Sequence, residues 1–365
     1  MSSVGKEIKR LGLMKAYEFL DRNPEENLPK LMDWFDRYAS DDVLPKQREI
    51  FREIIAKKDS NWYSLMLSVW DDIDDGIRKT LFENLIINAN ALASSRAKEN
   101  REKYNCNIPW AITMGIRDTE MIGTASGACP TGAASNPLTF DEWDDVIEQA
   151  KELGTFMFGF QGGEPLDSKM EIIALCNKHD DCEFMVFTNG DGITEEFADE
   201  ILRVKNLIVV LKVTATPEDV RLKEKSDLLF RKKIPYAVYG EYTRETQDLF
   251  ASERFFDELV KAHVKLGMFF STLPLAEDRM FEAIHRYRQT KPIVTIDFCK
   301  DRDIIGGCMA GGRYYLSIDS EGNYEPCFFV KDSDSNVRSK SLLQALQSPL
   351  FQSYHDNPPH CTAEK

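Results

Sequence analysis

From Asn107 to about Thr290 the chain alternates short apolar runs with longer amphipathic stretches, and this rhythm restricts the fold more than any other feature. The runs lie near 108–116, 155–160, 183–188, 207–214, 235–240 and 266–273. The stretches with helical spacing are 139–153, 194–204, 217–231, 251–264 and 276–289. Phe184-Met185-Val186-Phe187 and Leu207-Ile208-Val209-Val210-Leu211 are apolar at every position. A strand wet on one face would alternate, whereas a parallel strand covered on both faces reads as a continuous run. Six strands with helices between them predict an α/β barrel, open or closed, or a doubly wound sheet. In either, ligands meet the C-terminal ends of the strands.

The flanks read differently. Residues 1–103 form a helical N-terminal domain in which Ile73, Ile77, Leu81 and Leu85 fall four apart and Leu28, Leu31, Met32 and Phe35 make a shorter stripe. Asn23-Pro24-Glu25-Glu26 and Asp41-Asp42 separate helices, and the last helix ends near Glu102. Residues 104–299 carry the α/β unit, and 300–365 a small C-terminal domain. In that domain Gly311–Ile318, a turn through Gly322 and a returning strand predict a hairpin, followed by a short helix from Ser341 to Leu346.

The net charge of −15 excludes a surface built for nucleic-acid phosphates. No apolar run approaches the roughly 20 residues that span a bilayer, and Met1–Lys6 lacks the apolar core of a signal peptide. Eight cysteines without framework spacing are expected as reduced thiols or metal ligands of a cytoplasmic protein. The five histidines stand at no metalloprotease spacing.

One run ends in chemistry. Phe158-Gly159-Phe160-Gln161-Gly162-Gly163-Glu164-Pro165 is a strand running into a loop of two glycines, an acid and a proline. The glycines allow close backbone approach to a ligand, and Glu164 offers a carboxylate for a cationic group such as an amine. The other reading is a plain strand-to-helix turn in which Glu164 complements the dipole of the next helix. Thr188-Asn189-Gly190 falls at the next strand end.

The Gly162-Gly163-Glu164-Pro165 run resembles the glycine-glycine-glutamate motif of radical S-adenosylmethionine (radical SAM) enzymes. Asn105–Trp110, Lys151–Gly154, Cys176–His179, Phe187–Gly190 and Phe197–Glu200 continue the likeness in order. The resemblance implies a partial (β/α)6 barrel with a helical N-terminal domain and a C-terminal domain of the SPASM or twitch type. It assigns Gly162, Gly163, Glu164 and Pro165, with Thr188 and Asn189, to the S-adenosylmethionine (SAM) site. It also implies a [4Fe-4S] cluster held by Cys-x3-Cys-x2-Cys after the first strand. Counting back from Cys129 with that spacing reaches Ser126 and Ile122, so one thiol, Cys129, stands where three thiolates are required.

Cys308, Gly322 and Cys327 are spaced like the start of an auxiliary-cluster domain, with Cys361 as a third thiol and Cys299 or His360 as a fourth ligand. Zinc, or two buried thiols without metal, are the other readings of that site. Activity is open among three expectations. The first is a silent relative that keeps a ligand, a peptide or an active homologue as partner; the second is an enzyme with non-standard cluster ligation; the third is an auxiliary iron–sulfur or metal-binding protein.

Overall fold

The computed structural model describes residues 3–38, 45–116, 134–214, 220–271, 279–297, 301 and 306–356. The chain opens with five helices, α1 Ser3–Arg22, α2 Pro24–Tyr38, α3 Pro45–Ala56, α4 Asn61–Asp72 and α5 Asp75–Leu81. The break at Asn23 falls where expected, while Asp41-Asp42 lies outside the described residues. Asp74 starts α5 by accepting hydrogen bonds from the amides of Gly76 and Ile77. A π-helix, Phe82–Leu92, then continues directly into α6, Ala93–Tyr104. Ile73 and Ile77 are buried as predicted, but Leu81 and Leu85 are only half-buried. From Phe82 the wider turn of the π segment shifts the helical face, so Leu85 no longer follows the side set by Ile77.

The predicted alternation folds into parallel strands β1 Ala111–Gly115, β2 Met157–Gln161, β3 Glu183–Thr188, β4 Leu207–Lys212, β5 Tyr236–Tyr242 and β6 Leu266–Ser271. Two more join them. β7, Val294–Asp297, pairs parallel with β6, and β8, Tyr315–Ile318, pairs parallel with β1. The short β9, Tyr324–Glu325, runs antiparallel to β8, and the sheet order is β7-β6-β5-β4-β3-β2-β1-β8-β9. The parallel sheet is therefore wider than the six strands expected. At four residues, β7 is too short to stand out by periodicity.

Helices α7 Phe140–Leu153, α8 Lys169–Lys178, α9 Glu195–Val204, α10 Val220–Arg231, α11 Gln247–Phe250, α12 Glu253–Lys261 and α13 Arg279–Thr290 alternate with the strands. Their starts are local. Thr139 and Glu142 form a reciprocal capping box at α7, and Thr194 caps α9. Ser252 caps α12, the helix predicted over 251–264, and the short α11 before it was not predicted. On one face of the sheet Ile112, Met114, Phe158, Phe160, Phe184 and Val209 pack among helix side chains such as Trp143, Ile147 and Ile201.

The opposite face carries Phe187, Val210, Tyr239, Met268, Phe270 and Tyr315. Against it lie Ala310, Cys327, Phe328 and Tyr354 of the C-terminal segment, which also contains α14 Leu342–Leu346 and α15 Pro349–Asp356. Phe328 meets Phe270 at 5.7 Å and Tyr315 at 5.3 Å between ring centroids. Both faces are dry, which is the physical reason the runs are apolar throughout. The hairpin turn after β8 needs Gly322, whose φ is +87° and where an added Cβ would stand 2.7 Å from Val337. Among the described residues no helix is long and apolar enough to cross a membrane.

Candidate functional site at the barrel mouth

The mouth is built where β2 and β3 end side by side. Gly162 and Gly163, with φ of +89° and +59°, bend the chain through the left-handed region that a side chain disfavours. They deliver Glu164 to the start of a short 3-10 helix, Pro165–Ser168. Glu164 Oε1 accepts from the Leu166 amide at 3.0 Å and from Thr188 Oγ1 at 2.6 Å. Its Oε2 accepts from the Asn189 amide at 2.8 Å. Thr188 Oγ1 in turn accepts from the Gly190 amide at 3.0 Å. The structure thus brings together Gly162, Gly163, Glu164, Pro165, Thr188 and Asn189. Glu164 caps the helix, as the plainer reading required, and also clamps two strand ends. Among the described residues Oε1 serves two donors and Oε2 one, so the half-buried carboxylate keeps acceptor capacity on Oε2.

Two further strands complete the rim. Lys212 ends β4 with Nζ 3.7 Å from Glu241 Oε1 and 5.8 Å from the Tyr239 ring centroid. Burial pushes the Tyr239 phenol well above its ordinary range, and the charges of Glu241 and Glu164 push it further. Tyr239 therefore stays neutral, with two carboxylates acting on it and one ammonium, Lys212, over its ring. The local field is negative and favours a cation. Gln161, buried below the glycines, reaches Ser317 of β8 at 3.5 Å. Glu241 and Tyr239 escaped sequence reasoning. Their signal was period-two spacing along Tyr236–Tyr242, which sets Ala237, Tyr239 and Glu241 on the inner face.

The thiols lie elsewhere. Cys327 is buried in the inner-face cluster and Cys308 is half-buried against it. Cys327 Sγ lies 2.8 Å from the Tyr315 hydroxyl and 3.4 Å from the Phe329 amide. Cys106 sits in the opposite core, where burial pushes its thiol up to about 11. Ile122, Ser126, Cys129, Cys299, His360 and Cys361 fall outside the described residues. Among those described, no three His, Cys, Asp or Glu side chains stand where they could share a metal ion.

No family model matches the chain. Several solved structures share its fold. SuiB of Streptococcus suis, bound to precursor peptide SuiA, superposes with a TM-score of 0.55 at 15% identity, covering 72% of this chain and 70% of that one. The same protein bound to S-adenosylmethionine has the same scores. Native anSMEcpe with bound AdoMet gives a TM-score of 0.51 at 14% identity, covering 67% of this chain and 83% of that one. These are radical SAM enzymes, and the fold described above is the fold of that superfamily.

Proposed function

We propose that this chain, folded as a radical SAM protein, no longer cleaves SAM reductively and retains the barrel mouth as a binding site for a cationic ligand or peptide. The donor set carries the reading. A cluster of the kind the fold implies needs soft anionic sulfur. At the matching sequence positions stand Ile122, Ser126 and Cys129. Among the described residues, the mouth offers Glu164, Thr188, Asn189, Lys212 and Glu241, which supply oxygen and nitrogen only. These residues do not fit a [4Fe-4S] cluster. SAM would then lack the iron that anchors its amino and carboxylate groups. An incoming cation would meet the Oε2 oxygen of Glu164 and compete with Lys212 for the Glu241 carboxylate.

A peptide occupant is supported by SuiB, which was crystallised with its precursor peptide; an active homologue is the other partner in keeping with a silent barrel. The test is anaerobic reconstitution with iron and sulfide, followed by assay for 5′-deoxyadenosine with and without dithionite. No dithionite-dependent product is expected, while calorimetry registers binding of a basic peptide that weakens in Glu241→Gln. Clear turnover would overturn the proposal and favour non-standard cluster ligation.

A second reading rests on Cys327, whose sulfur meets a hydroxyl and an amide as metal-bound thiolates often do. With Cys308, and with Cys361 as the third thiol, it would form an auxiliary iron–sulfur or zinc site. Iron, sulfide and zinc content of anaerobically purified protein tests it, and absence of all three refutes it.

A further inference from the structure

At the opposite end of the sheet, the N-terminal helices and the residues leading into β1 and β8 enclose a cavity of about 530 Å³. That size lies within the range of small-molecule sites. Asn90 of the π-helix and Ser94 and Arg101 of α6 form one wall; Trp110, Arg313 and Tyr314 form the other. In a chain of net charge −15, none of the residues lining this cavity is acidic and two are arginines.

Among the described residues neither guanidinium is matched by a carboxylate. Arg101 donates from Nη2 to the Ile108 carbonyl at 2.6 Å, and the groups that act on its charge are Tyr314 and Cys106. Among the described residues Arg313 donates to the carbonyls of Cys308 and Gly306. By contrast, Arg78, Arg203, Arg279, Arg288 and Arg338 each face an acid. The remaining N–H groups of Arg101 and Arg313 are a fork-shaped donor set of the kind that grips planar oxyanions.

The aromatic residues add a second recognition element. Ala111 pairs with Tyr315 in the parallel register of β1 and β8, so Trp110 and Tyr314 stand at matched positions one residue earlier. The Trp110 amide donates to the Tyr314 carbonyl at 2.7 Å. Neighbouring strands lie about 4.8 Å apart, which sets the two side chains next to each other. Trp110 is 40% exposed and Tyr314 41%. Two large rings left this open at a cavity mouth form an apolar platform that a flat ligand would cover.

We propose that this cavity binds a small planar molecule bearing an oxyanion, a phosphate or a carboxylate. Arg101 and Arg313 grip the anion while Trp110 and Tyr314 cover the ring. The site is separate from the barrel mouth and uses the helical N-terminal domain as half of its wall.

Titration calorimetry of the full chain with AMP and with indole-3-acetate, each beside its neutral counterpart adenosine or indole, tests this. At least one anion is expected to bind about tenfold tighter than its counterpart, or more, and to weaken as salt rises. AMP alone would identify phosphate as the ligand group, and indole-3-acetate alone carboxylate. Arg101→Gln and Trp110→Ala are each expected to weaken that binding about tenfold, whereas Glu241→Gln at the mouth leaves it unchanged. Trp110 is exposed, so its variant keeps the fold and the test stands even if Arg101→Gln does not fold. Anions that bind no better than their neutral counterparts, or that ignore Trp110→Ala, would overturn the proposal.

Discussion

Glu164 shows how much one side chain settles at the mouth. Its carboxylate takes donors from Leu166, Thr188 and Asn189, so it joins the end of β2 to the end of β3. Glu164→Gln turns one acceptor oxygen into a donor facing a donor. We expect a loss of about 1–3 kcal/mol, the range for a broken charge-assisted bond in a half-buried place. Urea denaturation would check it, and an unchanged midpoint would mean that the clamp contributes nothing to stability.

A second residue-scale effect concerns Glu325 on β9. Burial raises its carboxyl from an ordinary 4.5 to about 7, while Lys331 at 3.4 Å opposes the rise. The sign follows from proton counting. Below about 4.5 both states are protonated, and between about 4.5 and 7 the folded chain keeps a proton that the unfolded chain has lost. Stability from this group is therefore highest in acid and declines as the pH rises through that window, by about 3 kcal/mol at most. Glu325→Gln should remove this slope. Comparing wild type with the variant by denaturation at about pH 5 and pH 8 measures it. A difference between them that ignores pH would rule it out.

At the level of elements, the turn between α8 and β3 is held from three sides. Asn206 donates to the carbonyls of Cys176, His179 and Cys182 at 2.9, 3.1 and 3.0 Å. Asn84 and Asn88 of the π-helix donate to Asp180, Asp181 and Cys182, which keys the helical domain to the barrel. Asn206 is fully buried, so Asn206→Ala strands those carbonyls and should cost about 2–3 kcal/mol. Thermal unfolding would register the drop; a wild-type Tm would argue that water replaces the amide. The helix starts were legible in the sequence because capping is local: Thr139 and Glu142 stand three apart and bond each other. Strand β7 and the π segment were not, since short strands and wide turns leave no distinct period.

Across the whole molecule, the C-terminal segment fills the inner face of the sheet. Phe328 packs on Phe270, Tyr315 and Phe329, with centroids 5.7, 5.3 and 4.4 Å away. Phe328→Ala leaves a cavity there, and the expected loss is about 3–5 kcal/mol. Chemical denaturation tests it, since a loss well below 1 kcal/mol would mean the segment is not part of the core. The hairpin and Gly322 turn were legible in residues 311–325, but the insertion of β8 parallel to β1 was not. A hairpin announces its own turn, whereas its neighbour is chosen by the sheet edge left free.

By sequence alone the chain declared a parallel α/β fold and the glycine-acid loop at a strand end. Periodicity, backbone permissiveness and donor chemistry belong to each residue and survive in any arrangement. Tertiary structure alone decided that Lys212 faces Glu241, that Glu164 is clamped by Thr188 and Asn189, and that Arg101 and Arg313 line one cavity. Those groups are far apart along the chain, and only strand order and helix docking determine which of them share a field.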